Sequence, residues 1–146
     1  MSVARILLDT NVLSELMRPR PEPLVLDWFA AQAAQTRFVV SAITQAEILL
    51  GIALLPVGKK RTALSNVAQT MFEQEFQGLN LAFDQHAAAV YASIVAQRSR
   101  SGAPISVEDA QIAAIASFHR VPLATRNTKD FVQVPGLELI NPWERA

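Results

Sequence analysis

The amino-acid sequence predicts an α/β fold in which a central parallel sheet of about five strands carries helices on both faces. Three observations point there. Short apolar runs alternate along the chain with longer segments of helical length, the pattern of successive strand–helix–strand units. Several of those runs are apolar nearly throughout, as strands buried on both faces require. The chain has 146 residues, 51% of them hydrophobic and 18% charged. That length fits one domain spanning residues 1–146 and allows about 68–70% of the unfolded surface to be buried.

The elements follow in order. Val3 to Leu8 reads as a buried strand that ends at Asp9-Thr10-Asn11, a turn sequence. Pro19, Pro21 and Pro23 make a rigid surface connection, and a helix carrying Leu24, Leu26, Trp28 and Phe29 follows. Arg37 to Val40 is the second strand, and Thr44 to Leu55 has the length and apolar content of a core helix. Gly58 punctuates it before a longer amphipathic helix, Lys59 to Phe76. Leu79 to Phe83 is the third strand, followed by a helix from Asp84 to about Ser101. Ser106 to His119 is an alanine-rich helix, with Pro122 to Thr125 and Leu137 to Ile140 as the last strands.

Composition excludes several chemistries. There is no cysteine, so a disulfide framework, a thiol nucleophile and a Cys-based zinc site are ruled out, and a reducing compartment is expected. No secretory leader or membrane span is legible at the start or elsewhere, so the expected location is the cytoplasm. Lys plus Arg and Asp plus Glu both number 13, without the basic excess usual in nucleic-acid binders. Any contact with nucleic acid must therefore use local groups: Arg18 with Arg20, Lys59-Lys60-Arg61, Arg98 with Arg100, or Arg126 with Lys129. Each of these is otherwise a solvated surface patch. His86 and His119 read as surface or partly buried residues, and Trp28 and Trp143 as core or interface anchors.

Three acidic residues occupy equivalent places. Asp9 ends the first strand, Glu47 opens the helix after the second, and Asp109 lies in the first turn of the alanine-rich helix. Thr125-Arg126-Asn127 stands just beyond the fourth strand, with Asp130 close behind. In an open α/β sheet, ligands bind beyond the carboxyl ends of the strands, so these segments should converge on one rim. Clustered carboxylates without a basic partner repel unless one takes up a proton. A hard divalent cation removes that cost, and all-oxygen ligation suits magnesium or manganese rather than zinc. Each acid also has a plainer reading. Asp9 could cap a helix, Thr44 to Glu47 matches a capping box, and Asp109 suits a helix N-terminus. Gly51, one turn beyond Glu47, leaves space beside the carboxylate, and Ala110, Ala113 and Ala114 keep the Asp109 helix slim.

Four stretches resemble the ordered motifs of PIN-domain proteins. They are Leu7 to Leu16 (LLDTNVLSEL), Val40 to Gly51 (VSAITQAEILLG), Glu108 to Ala116 (EDAQIAAIA) and Leu123 to Phe131 (LATRNTKDF). The ending Asn141-Pro142-Trp143 adds a likeness to the FitB-like branch of VapC toxins, so the resemblance runs from Leu7 to Trp143. It implies a PIN fold and a magnesium-dependent endoribonuclease that acts as the toxin of a type II toxin–antitoxin pair. It also implies a homodimer, an RNA substrate and a small antitoxin that inhibits the toxin and carries the contact with operator DNA. Asp9, Glu47 and Asp109 fall on the family's acidic positions. Asp9 and Asp109 would be the principal metal ligands, with Glu47 holding a water or a second ion. Thr10, Asn11, Ser41 and Thr125 would orient the carboxylates, and Arg126 or Lys129 would steady a phosphate.

At the fourth acidic position this chain has Asn127, and Asp130 either supplies the missing charge or caps a short helix. Two rival readings differ in class. A phosphatase using Asp9 as nucleophile commonly wants an acid two residues on, where Asn11 stands. A non-catalytic PIN subunit would act with an antitoxin in operator binding and transcriptional autoregulation, leaving the acids structural.

Overall fold

The computed structural model describes residues 4–145. Strand β1 (Arg5–Leu8) is followed by helices α1 (Thr10–Leu16) and α2 (Pro23–Ala31), then β2 (Arg37–Ser41). Helices α3 (Ala42–Ala53) and α4 (Lys59–Thr70) lead through a π-helical turn, Met71–Glu75, to β3 (Asn80–Leu81). Helices α5 (Gln85–Arg100) and α6 (Val107–His119) precede β4 (Leu123–Ala124), a 3-10 turn at Thr128–Asp130 and β5 (Leu139–Ile140).

The five strands form one parallel sheet in the order β3-β2-β1-β4-β5, with Leu7 opposite both Val39 and Leu123. The chain steps outward from β1 to β2 and β3, then returns through α5 and α6 to place β4 on the other side of β1. The order reverses between β1 and β4, and the carboxyl ends of two such strands frame the crevice where α/β sheets bind ligands.

Strand residues alternate between two cores. Leu7, Val39 and Leu123 pack with Ile112, Ala113 and Ile115 of α6 and Ile94 of α5. Ile6, Leu8, Val40 and Ala124 pack on the other face with Val12 and Leu13 of α1, Ile48 and Ile52 of α3, and Phe72. Both faces are covered, and this is why the strands are apolar without a polar alternate. Ala110, Ala113 and Ala114 are fully buried, so α6 lies close on the sheet. Trp28 and Phe29 of α2 pack on Phe38. No helix among the described residues is long and apolar enough to cross a membrane.

Several boundaries differ from expectation. The turn expected at Asp9-Thr10-Asn11 is instead the start of α1, because the Asp9 side chain accepts from Thr10 N at 2.8 Å while Val12 and Leu13 insert into the core. Helix α3 begins at Ala42, two residues before the expected start, capped by the Ser41 hydroxyl. The long helix after Gly58 widens at its end, where Phe76 N donates to Met71 O five residues back, and Met71 and Phe72 turn into the core. The last three strands shrink to two residues each. β3 and β5 are edges paired on one side only, and short edges limit unwanted pairing. Before β4, Pro122 has no N–H to give a ladder. The expected first strand began at Val3, which lies outside the described residues; the observed one begins at Arg5.

Candidate active site

Asp9 stands directly after β1 and is 4% exposed. Its Oδ1 accepts from Thr10 N at 2.8 Å, and its Oδ2 accepts from the Thr125 hydroxyl, just past β4, at 2.7 Å. Asn11 Nδ2 lies 3.4 Å from both Asp9 Oδ2 and Thr125 Oγ1, at the long limit of a hydrogen bond. Burial pushes the Asp9 carboxyl up to about 6; the Thr125 and Thr10 bonds pull it down, and the like charges of Asp109 and Glu47 push it further up. Asp9 is thus both the cap of α1 and a desolvated acid that feels the charges of two others.

Glu47 lies in the second turn of α3 and is half-buried. Its Oε1 accepts from the Thr10 hydroxyl at 2.8 Å, and Thr10 Oγ1 also lies 2.9 Å from the hydroxyl of buried Thr44. Because Thr10 gives its proton to Glu47, its oxygen receives one from Thr44. The capping-box reading of Thr44 to Glu47 is corrected here. Ser41 caps the helix by accepting from Thr44 N at 3.1 Å, which leaves the Glu47 carboxylate free to face Thr10. Ser41, fully buried, therefore reaches the carboxylates only through Thr44.

Asp109 sits in the first turn of α6, where Ser106 caps the helix by accepting from Asp109 N at 3.2 Å. Its carboxyl is raised by burial first. The Ser106 hydroxyl lowers it, Asp130 and Glu108 raise it as like charges, and Arg98 lowers it. Asp130 ends the 3-10 turn; Asn127 precedes that turn and makes no side-chain capping bond. Asp130 is therefore not an N-cap, and it lies close enough to Asp109 for their charges to interact. Asn127 is exposed, with its N–H on Thr125 Oγ1 at 3.1 Å.

Two residues were misread from sequence. Arg98, grouped with Arg100 as a surface patch, is 6% exposed. Its Nε donates to Ala103 O at 2.6 Å and its Nη1 to Asp130 O at 2.9 Å. Thr44 looked like a helix cap and is instead the hinge of the Glu47 hydroxyl chain, because Ser41, three residues earlier, takes the capping role. His86 is exposed and stacked on Phe118, away from the acids. Gly51 shares a groove with Glu47, but a Cβ there would meet nothing within 4 Å, so crowding within this chain does not require the glycine.

The donor set suits a hard cation in kind: Asp9, Glu47, Asp109 and Asp130 offer only oxygen. Among the described residues no three acids or histidines are placed to hold a metal ion as a cage of their own. Magnesium needs no such cage, since it keeps several waters and is held by one or two carboxylates. A desolvated Asp9 with like charges beside it and no basic partner is the arrangement a cation relieves, so the residues present fit one.

The five-stranded parallel sheet covered on both faces, with acids at its carboxyl edge, defines the chain as an α/β protein of the switch-point type, and a family model described as the PIN domain matches residues 6–137. The chain belongs to the PIN-domain family. It is 43% identical over 141 residues to VapC ribonuclease Y4jK of Sinorhizobium fredii, covering 97% of this chain and 99% of that protein. It is 40% identical over 138 residues to toxin FitB of Neisseria gonorrhoeae, covering 94% and 98%. A solved structure of FitAB bound to an IR36 DNA fragment superposes with a TM-score of 0.87 at 39% identity, covering 97% of each chain.

Proposed function

We propose that this chain is the toxin of a toxin–antitoxin pair, an endoribonuclease that works with magnesium or manganese at Asp9, Glu47 and Asp109. One observation carries the reading: Asp9, 4% exposed just beyond the central strand, has a carboxyl raised to about 6 by burial and by the charges of Asp109 and Glu47, and among the described residues it forms no ion pair. Strongly perturbed acids beside a crevice are candidates for functional sites. The similarity to a VapC ribonuclease and to toxin FitB supports the activity and its setting.

Asp9 and Asp109 would hold the cation, with Glu47 and Asp130 at its margin. When bound, it would supply an activated water and neutralise charge growing on the phosphoryl oxygens. The chain's own residues hold the acids still. Thr125 and Thr10 each fix one oxygen of Asp9, so that carboxylate does not rotate. The Thr44–Thr10 hydroxyl chain points one Glu47 oxygen the same way, and Asn11 joins Asp9 to the Thr125 loop. Such buried donors preorganise charged groups at little cost during reaction.

The antitoxin would lie in a groove of about 470 Å³ beside the acids. Met17, Ile48, Ile52, Leu55 and Leu64 share its lining with Thr10, Glu47, Arg18 and Lys60. An amphipathic segment laid there, with a basic side chain toward Glu47, would exclude RNA. Operator DNA would be met through the antitoxin, as a homodimer in the cytoplasm. That no three acids among the described residues are placed to hold an ion favours the rival reading, a non-catalytic subunit of the same pair. Incubating purified protein with an RNA pool in magnesium or in EDTA, and sequencing the ends, separates them. Cuts that appear only with magnesium support the nuclease; an intact pool in both overturns it.

A further inference from the structure

We propose that Trp143 is a positioning residue that holds Arg126 as a clamp for an RNA phosphodiester at the edge of the carboxylate rim. The assignment rests on the nuclease reading above. Strands β4 and β5 are parallel neighbours, with Thr125 N bonded to Ile140 O at 2.9 Å. The segments that leave them, Thr125-Arg126 and Asn141-Pro142-Trp143, therefore emerge side by side on the rim that holds Asp9.

The backbone of Arg126 is tied down there. Its N–H donates to Asn11 Oδ1 at 3.2 Å, and its carbonyl accepts from Asn141 Nδ2 at 3.5 Å. Asn141 Oδ1 accepts from Trp143 N at 2.9 Å, which turns the indole back toward Arg126. The guanidinium carbon lies 5.1 Å from the indole centroid, a cation–π distance. The same indole packs on the core that includes Leu8 and Ala124, so the platform is anchored to the sheet.

Among the described residues the guanidinium has no carboxylate partner. Arg126 is exposed, and among the described residues the ion pair that forms joins Arg18 to Glu15 instead. Its N–H edge stays open one residue from Thr125, which holds Asp9. A planar fork of donors fits a phosphate oxygen pair. An unpaired base is the poorer fit, because the indole is already taken by the core and by the guanidinium.

The test is binding of a fluorescent single-stranded RNA by the full chain in EDTA, so that no cleavage competes, over a series of salt concentrations. Arg126→Ala should weaken binding on the order of tenfold and lower the log–log salt slope by about one phosphate contact. Trp143→Leu, which fills the core side but has no aromatic face, should reproduce part of that loss, and Trp143→Phe less of it. Trp143→Leu added to Arg126→Ala should cost nothing further, the coupling expected of residues that act as one unit. Unchanged affinity and slope in Arg126→Ala overturn the clamp and leave the nuclease reading standing. An equal loss from Trp143→Leu with and without Arg126 overturns the positioning role. Wild type that binds no RNA, and cuts none in magnesium, overturns the nuclease reading and this assignment with it.

Discussion

Asp9 in the unfolded chain ionises near its ordinary 3.8, but in the folded protein it keeps its proton up to about pH 6. Between those values the metal-free folded state holds the extra proton, so this group's contribution to stability is full below pH 3.8 and is lost as pH rises through about 6. A shift of that size corresponds to roughly 3 kcal/mol. Urea melts in EDTA should show Asp9→Asn gaining on wild type by about 1–3 kcal/mol between pH 4 and pH 7; parallel curves would mean Asp9 is not desolvated. Charge counting makes a second expectation. Asp9, Glu47 and Asp109 carry about −3 against +4 for two divalent ions, so the chain should bind one manganese well and a second weakly. Asn127→Asp should tighten the weak site, and Asp130→Asn should loosen it, in isothermal titrations on matched buffers. If neither changes, that corner holds no ion. The positions of two acids were legible, Asp9 directly after a strand and Asp109 in the first turn of a helix, whereas Glu47, expected to open its helix, stands in the second turn. Thr44 and Arg98 were not legible: a buried hydroxyl and a buried guanidinium look in sequence like a cap and a surface charge, and only tertiary packing distinguishes them.

Arg98 shows how the elements are joined around the site. From the last turn of α5 it donates to Ala103 O, in the loop before α6, and to Asp130 O, at the end of the 3-10 turn. Among the described residues no carboxylate forms an ion pair with it, and two backbone carbonyls solvate the buried charge. Removing the side chain strands those carbonyls and leaves a gap. Arg98→Ala should therefore cost on the order of 2–4 kcal/mol by chemical denaturation, and the more conservative Arg98→Lys should recover only part, because an ammonium cannot reach both acceptors in one plane. A cost under about 0.5 kcal/mol would show the bonds to be unimportant. Long elements such as α5 and α6 were legible from their apolar content and caps. Helix α1 was hidden because Asp9-Thr10-Asn11 is equally good as a turn, and burial of Val12 and Leu13 decided it. The two-residue strands were overextended because apolar character continues past the last ladder bond: Phe83 and Leu137 pack on the core without pairing.

Exposed apolar side chains gather most densely at the end of α3 and the loop after it, where Leu50 is 59% exposed, Leu54 76% and Val57 89%, with Val107 and Val132 exposed elsewhere. Apolar groups collected this way mark surfaces that other chains cover. Light scattering at micromolar concentration should return twice the chain's mass, and a monomer would contradict the homodimer. The central claim, that acids on the β1/β4 rim hold the cation with which RNA is cut, is tested most directly by one substitution. Asp109→Asn removes a half-buried carboxyl that burial and like charges already disfavour in its ionised form, so the fold should survive and the metal-free protein should melt no lower than wild type. At saturating magnesium its rate of RNA cleavage should fall to the level of wild type in EDTA. Cleavage retained at the wild-type rate by folded Asp109→Asn would contradict the account.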